Sequence, residues 1–150
     1  MFRGHEQARI DDKGRLKVPN VFRSLLESKY GRELFLTSLT GEYVRIYPMP
    51  VWTDLEEKLG QMPSTHPARL RFLDRVSFFG QVGELDTQGR LLIPAELRRE
   101  LRMESQPVWI DCQRNGRINV ATKTAHDARI HRAKADLIEK KKKVEKNGFK

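Results

Sequence analysis

Apolar and polar positions along the chain alternate in short runs, switch to helical spacing, and then repeat the whole pattern a second time. Residues 8–11 and 15–18 are alternating stretches in which Ala8, Ile10, Leu16 and Val18 take every second place, and that period predicts two strands. Asp12-Lys13-Gly14 lies between them and supplies a glycine able to adopt positive φ, so a tight hairpin tip is predicted at residues 12–14. Pro19 then ends the strand and presets φ for a first helical turn, where its missing N–H does no harm. Val21, Phe22, Leu25 and Leu26 follow at helical spacing and predict a short helix with all four on one buried face. A further strand pair is read at residues 34–39 and 43–47, turned through Thr40-Gly41.

The repeat is explicit in the residues. Asp11-Asp12-Lys13-Gly14-Arg15-Leu16-Lys17-Val18-Pro19 returns as Asp86-Thr87-Gln88-Gly89-Arg90-Leu91-Leu92-Ile93-Pro94, an offset of 75 residues. Phe22-Arg23 then meets Leu97-Arg98, Leu26 meets Leu101, and Gly41 meets Gly116, an alignment without a gap. A second tip is therefore predicted at residues 87–89, a second helix around Leu97 and Leu101, and strands at 108–112 and 117–120 turned through Asn115-Gly116. The halves meet near Gly80. Between them, Trp52, Leu55 and Leu59 mark one amphipathic helix, and Pro67 opens another with an apolar stripe of Phe72, Leu73, Val76 and Phe79; both are expected to cover a sheet or join subunits.

A chain of 150 residues with 38% apolar composition can bury a core without disulfides or a metal. Its one cysteine, Cys112, rules out an intramolecular disulfide, fits a reducing compartment and reads as a small buried strand residue. No apolar run approaches membrane-spanning length and the start lacks a signal-peptide core, so a soluble intracellular protein is expected. The net charge of +9 invites nucleic acid, yet residues 123–150 hold ten basic and four acidic side chains and so carry +6 of it. Lys140-Lys141-Lys142-Lys143 can attract a phosphate backbone, yet a lysine run is more often a solvated or disordered end, so by itself it proves little.

Met1-Phe2-Arg3-Gly4, the doubled Asp-x-x-Gly-Arg-x-x-x-Pro pattern, Tyr47-Pro48 ahead of Trp52, and the 75-residue repeat together resemble the MraZ family over about residues 1–122. The resemblance implies an α+β, β-rich fold in which two tandem AbrB/SpoVT-like swapped-hairpin units form one pseudo-symmetric small barrel with flanking helices. With the repeat it gives units at 1–60 and 81–124 joined by a linking helix at 61–80, while residues 125–150, beyond the resemblance and more basic than the family's pattern, read as a basic C-terminal helix or tail. It also implies a ring-like homo-oligomer that binds repeated promoter sites upstream of cell-division and cell-wall genes, hence a cytoplasmic, nucleoid-associated regulator.

Alternation in the second strand of each tip sends Leu16 and Val18 to the core and Arg15 with Lys17 to the other side. A two-stranded ribbon fits the major groove, where the Arg15 guanidinium can contact guanine or phosphate while Lys13 and Lys17 hold phosphates. Arg3 and Arg90 complete the candidate DNA-binding set. Residues 1–20 carry +2 and residues 76–95 carry −1, so the first tip is the better DNA face and Arg15→Ala is expected to cost far more binding than Arg90→Ala. The alternative for either arginine is an internal bond to its own tip aspartate, Asp11 or Asp12 for Arg15. Asp11, Gly14, Pro19, Asp86, Gly89 and Pro94 are structural: turn formers, arginine orienters and strand stops.

An enzyme is not expected. Cys112 has no histidine near it in sequence, His5, His66, His126 and His131 lack metal-ligand spacing, and no phosphate-binding glycine loop occurs, so no cofactor, metal or small-molecule substrate is expected. The rival is an antitoxin-type protein-interaction module, since related swapped-hairpin proteins neutralise toxins through C-terminal segments that are typically acidic. Against it stand the two units in one chain and the basic tail.

Overall fold

The computed structural model describes residues 4–104, 106–113 and 116–146. Among them the order is β1 (Gly4–Ala8), β2 (Arg15–Lys17), α1 (Asn20–Lys29), β3 (Glu33–Thr37), β4 (Val44–Pro48), α2 (Met49–Gly60) and α3 (Pro67–Phe79). The second half continues with β5 (Gln81–Glu84), β6 (Arg90–Leu92), α4 (Ala95–Glu100), β7 (Val108–Cys112), β8 (Ile118–Thr122) and α5 (Lys123–Lys146). The fold is α+β with a mostly antiparallel sheet. Six strands run in the order β1-β7-β8-β4-β3-β5, and β2 with β6 forms a separate two-stranded ribbon. Pro19 and Pro94 immediately precede α1 and α4, both at φ −54°, as the sequence predicts.

The halves complete each other. β1 of the first half pairs with β7 of the second, and β5 of the second pairs with β3 of the first. In the ribbon, Arg15 lies opposite Leu92, Leu16 opposite Leu91 and Lys17 opposite Arg90. The predicted hairpins survive only at their tips: the Asp11 N–H donates to Arg15 O at 2.9 Å, Ile10 bridges Leu16, and beyond that point the two strands part to join the other half. Alternation specifies which side chains face the core and is silent about which strand supplies the backbone partner, so this exchange could not be read locally.

The gap-free alignment needs one correction. Ala8 pairs with Val108 and its counterpart Gly83 pairs with Leu34, so an offset of 75 in the first strand meets an offset of 74 in the third. One residue is missing from the second half between Leu101 and Val108, ahead of β7. Arg45 then lies opposite its own counterpart Asn119 where β4 meets β8, on the axis relating the halves.

The sheet has two covered faces. On one, Leu34, Leu36, Val44, Ile46, Val108, Ile110, Ile118 and Val120 bury against Leu16, Val18, Leu91 and Ile93 of the ribbon segments and Phe22, Leu26, Leu97 and Leu101 of the α1 and α4 segments. Val21 departs from expectation: it is 59% exposed, because Phe22 and Leu26 centre the contact and Val21 falls at the stripe's edge. Leu73 is likewise exposed, a quarter-turn off the Phe72–Val76–Phe79 line. On the other face, Phe35 stacks on Trp52 at 4.0 Å with Tyr47 and Phe72 alongside, so α2 and α3 cover β3 and β4. The root of α5 covers β7 and β8 there, with His126 stacked on Trp109 at 5.4 Å and Arg129 paired with Asp111. Among the described residues, no helix is long and apolar enough to cross a membrane.

Candidate nucleic-acid interface

Each tip is organised by its aspartate. Asp11 Oδ1 accepts the backbone N–H groups of Lys13 at 3.0 Å and Arg15 at 2.9 Å, and its Oδ2 accepts the Arg15 Nε–H at 2.9 Å. Asp86 repeats the arrangement with Gln88 at 2.8 Å, Arg90 at 2.9 Å and Arg90 Nε at 3.0 Å. The Arg15 N–H holds the Asp11 carboxyl below its ordinary value, as the Arg90 N–H does for Asp86, with the neighbouring bonds adding to the effect against partial desolvation. Both carboxylates therefore hold their charge more firmly than a free aspartate does.

The tips also grip each other's half. Gly14 sits at φ +83°, and a Cβ there would lie 2.4 Å from Arg98 Cζ; Gly89, at φ +75°, would meet Arg23 Cδ at 2.6 Å. The positive φ favours glycine at both places, and the end of a helix arginine lies across each. Arg23 Nη2 donates to Thr87 O at 2.9 Å, Val18 N–H to Gly89 O at 3.0 Å, and Ile93 N–H to Gly14 O at 2.9 Å. Sequence reasoning overlooked Arg23 and Arg98 as clamps; their signal was the recurrence of Phe22-Arg23 as Leu97-Arg98.

The ribbon brings together side chains that the sequence assigned to separate tips. Leu16 and Leu91 point inward, so Arg15, Lys17, Arg90 and Leu92 stand on the outward face, with Lys13 exposed at the first tip. Lys17 Nζ donates to Gln88 O and so leans over the second tip. The internal bond considered for the arginines is present in both, and Asp11, rather than Asp12, is the partner of Arg15. It engages Nε only. The Arg15 and Arg90 side chains remain 30% and 27% exposed, with their Nη edges outside that bond. Arg3 and the Asn115 turn lie outside the described residues.

Other chemistry-bearing residues have structural places. Cys112 faces the core, and burial pushes its thiol up to about 11. His66 caps α3 by accepting the Ala68 N–H at 3.2 Å. His126 is buried beside His5 and Trp109, and desolvation, with His5 second, holds its imidazole below the ordinary value.

The first 75 residues, which carry the first tip, α1, β3, β4 and α2, match the family model described as "MraZ protein, putative antitoxin-like". A "Transcriptional regulator MraZ" of Acidobacterium capsulatum is 44% identical over 113 residues, covering 75% of this chain and 77% of the relative. The chain belongs to the MraZ family. MraZ relatives of the same printed name from Koribacter versatilis and Syntrophobacter fumaroxidans are 44% identical over 107 residues and 33% over 126. The first covers 71% of this chain and 73% of the relative, the second 83% of each. The region matched by the MraZ family model holds the first Asp–Arg tip; in this chain the second, Asp86 with Arg90, lies beyond residue 75, and the two meet in the ribbon.

Proposed function

We propose that this MraZ-family chain regulates transcription by setting its β2–β6 ribbon into the major groove of promoter DNA. The observation that carries the reading is the outward ribbon face, where Arg15, Lys17 and Arg90 stand together on a short platform anchored in the core through Leu16 and Leu91. A groove about 12 Å wide admits a two-stranded ribbon. Each tip aspartate fixes its guanidinium through Nε, which leaves the Nη edge to meet the O6 and N7 acceptors of guanine. Lys13, Lys17 and Arg3 then hold phosphates, which set position rather than sequence.

One ribbon with two to four phosphate contacts binds too weakly to choose a promoter. In this reading a ring-like homo-oligomer presents several ribbons to promoter repeats spaced about 10 bp apart, upstream of cell-division and cell-wall genes in the nucleoid, and gains avidity. Self-association is supported by β5, an edge of the sheet, with Val82 exposed on it and Phe78 exposed just ahead of it in the chain. The halves are read as two AbrB/SpoVT-like swapped-hairpin units closing one small barrel, at 1–60 and 81–124 with a linking helix at 61–80 and a basic helix at 125–150; the exchanged strands support it.

The test is binding to DNA upstream of the protein's own gene against a scrambled duplex, at two salt concentrations. Arg15→Ala lowers specific binding about 5- to 150-fold, the worth of one bidentate guanine contact, and Arg90→Ala lowers it less because Lys13 and Lys17 flank Arg15. Unchanged specific binding in both variants refutes the assignment. A second reading, a toxin-neutralising module, draws on the antitoxin-like wording of the family description; the surplus of lysines in α5 opposes it.

A further inference from the structure

The ribbon reading leaves α5 unused, although α5 holds the densest run of positive charge in the described chain. Its root is fastened to the sheet: His126 stacks on Trp109, Arg129 pairs with Asp111, and Arg132 pairs with Glu42. Past Arg132 every described side chain to Glu145 is exposed. At 1.5 Å per residue those thirteen positions make about 20 Å of helix. They carry five basic side chains, Lys134 and Lys140 to Lys143, against three acidic ones.

Successive lysines on a helix are turned about 100° from one another, so Lys140, Lys141, Lys142 and Lys143 form a collar facing all sides. None of the four is ion-paired with a described residue. A helix that lies on a membrane segregates one apolar face from one charged face, and a collar does not. A polyanion with closely spaced charges, entered from any side, fits it better: the phosphate backbone of duplex DNA.

The position of α5 supplies the rest. Val108 and Ile110 of β7 face the core and the ribbon, whereas Trp109 and Asp111, which α5 grips, face the other way. The sheet therefore separates the root of α5 from the ribbon. We propose that α5 is a second, sequence-independent binding element for duplex DNA, and that the protein holds one DNA segment on its ribbon and a separate segment on α5. The two-segment statement rests on the ribbon reading; the α5 contact does not.

The test uses the full chain and a K140Q/K141Q/K142Q/K143Q variant, with a matching Lys→Arg variant as the rescue. Glutamine has nearly the helix propensity of lysine, and circular dichroism verifies that α5 is retained. On a scrambled duplex the Gln variant lowers the slope of log K against log salt by about 2 to 4, so it loses up to about 100-fold less affinity between 50 and 200 mM salt, and the Arg variant restores the wild-type slope. Arg15→Ala keeps that slope contribution while losing preference for the upstream DNA. In a capture assay, wild-type protein on an immobilised upstream duplex retains a second, labelled scrambled duplex, and the Gln variant does not. An unchanged slope in the Gln variant overturns the α5 site, as does lysine-dependent binding to phosphatidylserine vesicles with duplex binding untouched. Undiminished capture by the Gln variant overturns the two-segment arrangement. Loss of upstream preference with α5 intact, or its retention in Arg15→Ala, reports on the ribbon alone.

Discussion

Substituting Asp11 separates two ways in which Arg15 can serve DNA binding, because they predict effects of opposite sign. In Asp11→Asn the Oδ1 acceptor survives, so the backbone bonds from Lys13 at 3.0 Å and Arg15 at 2.9 Å persist and the tip keeps its shape. What changes is the other edge. An amide NH2 replaces Oδ2 and faces the Arg15 Nε–H, now 2.9 Å from an acceptor, so donor meets donor and the guanidinium swings away. If Arg15 contributes only charge, removing a carboxylate beside the DNA strengthens binding by about two- to five-fold at low salt. If its fixed orientation matters, the bidentate contact is lost and binding to the cognate duplex falls by about 5- to 150-fold. Fluorescence anisotropy on cognate and scrambled duplexes, at 50 and 200 mM salt, distinguishes the cases. We expect weaker cognate binding with scrambled binding unchanged or slightly tighter. Tighter binding to both duplexes would refute the orienting role, and an unchanged circular dichroism spectrum verifies that the tip has not unfolded.

Two further outcomes follow from packing and titration. Leu16→Ala removes a fully buried side chain opposite Leu91 at the ribbon's centre and destabilises the fold by about 2–5 kcal/mol in urea titration; a change under about 1 kcal/mol would mean the ribbon is not anchored as described. His126 has its imidazole held below the ordinary 6.5, so the unfolded or undocked state binds more protons, and the stabilisation that neutral His126 gives to α5 docking is fully present above pH 6.5 and lost as pH falls through the lower folded value. His5, Asp127, His131, Lys134 and Trp109 surround it. In a Trp52→Phe background, Trp109 fluorescence should therefore change on acidification below pH 6.5, and a flat profile would contradict the docked stack.

Local chemistry was legible in the sequence and long-range pairing was not. The tips, Pro19 and Pro94, and the inward placement of Leu16, Val18, Leu91 and Ile93 depend on a few neighbouring residues, and each sits where alternation and turn preference put it. The exchange of β1 and β5 depends on partners a third of the chain or more away, and nothing in Gly4-His5-Glu6-Gln7-Ala8 marks β7 rather than β2 as its neighbour. The one-residue slip ahead of β7 was hidden because Gly41 and Gly116 keep the longer spacing while the strands beside them do not. For the site, the Asp-to-Arg spacing was readable as a bond or as a DNA contact. The structure shows the bond in both tips and puts both arginines on one face, which required knowing that Lys17 lies opposite Arg90.

The exchange of edge strands makes neither half of the chain a closed object. A fragment holding only the first repeat keeps β3 and β4 but lacks the strands that flank β3 and β4, and its ribbon strand has no companion. Two such fragments could satisfy each other by the same geometry, which describes how a one-repeat homodimer would be joined into a single gene product. Because its decisive contacts, Leu16 with Leu91 among them, close loops of some seventy-five residues, the joined chain should fold slowly for its size, and late in synthesis, once the second repeat has emerged.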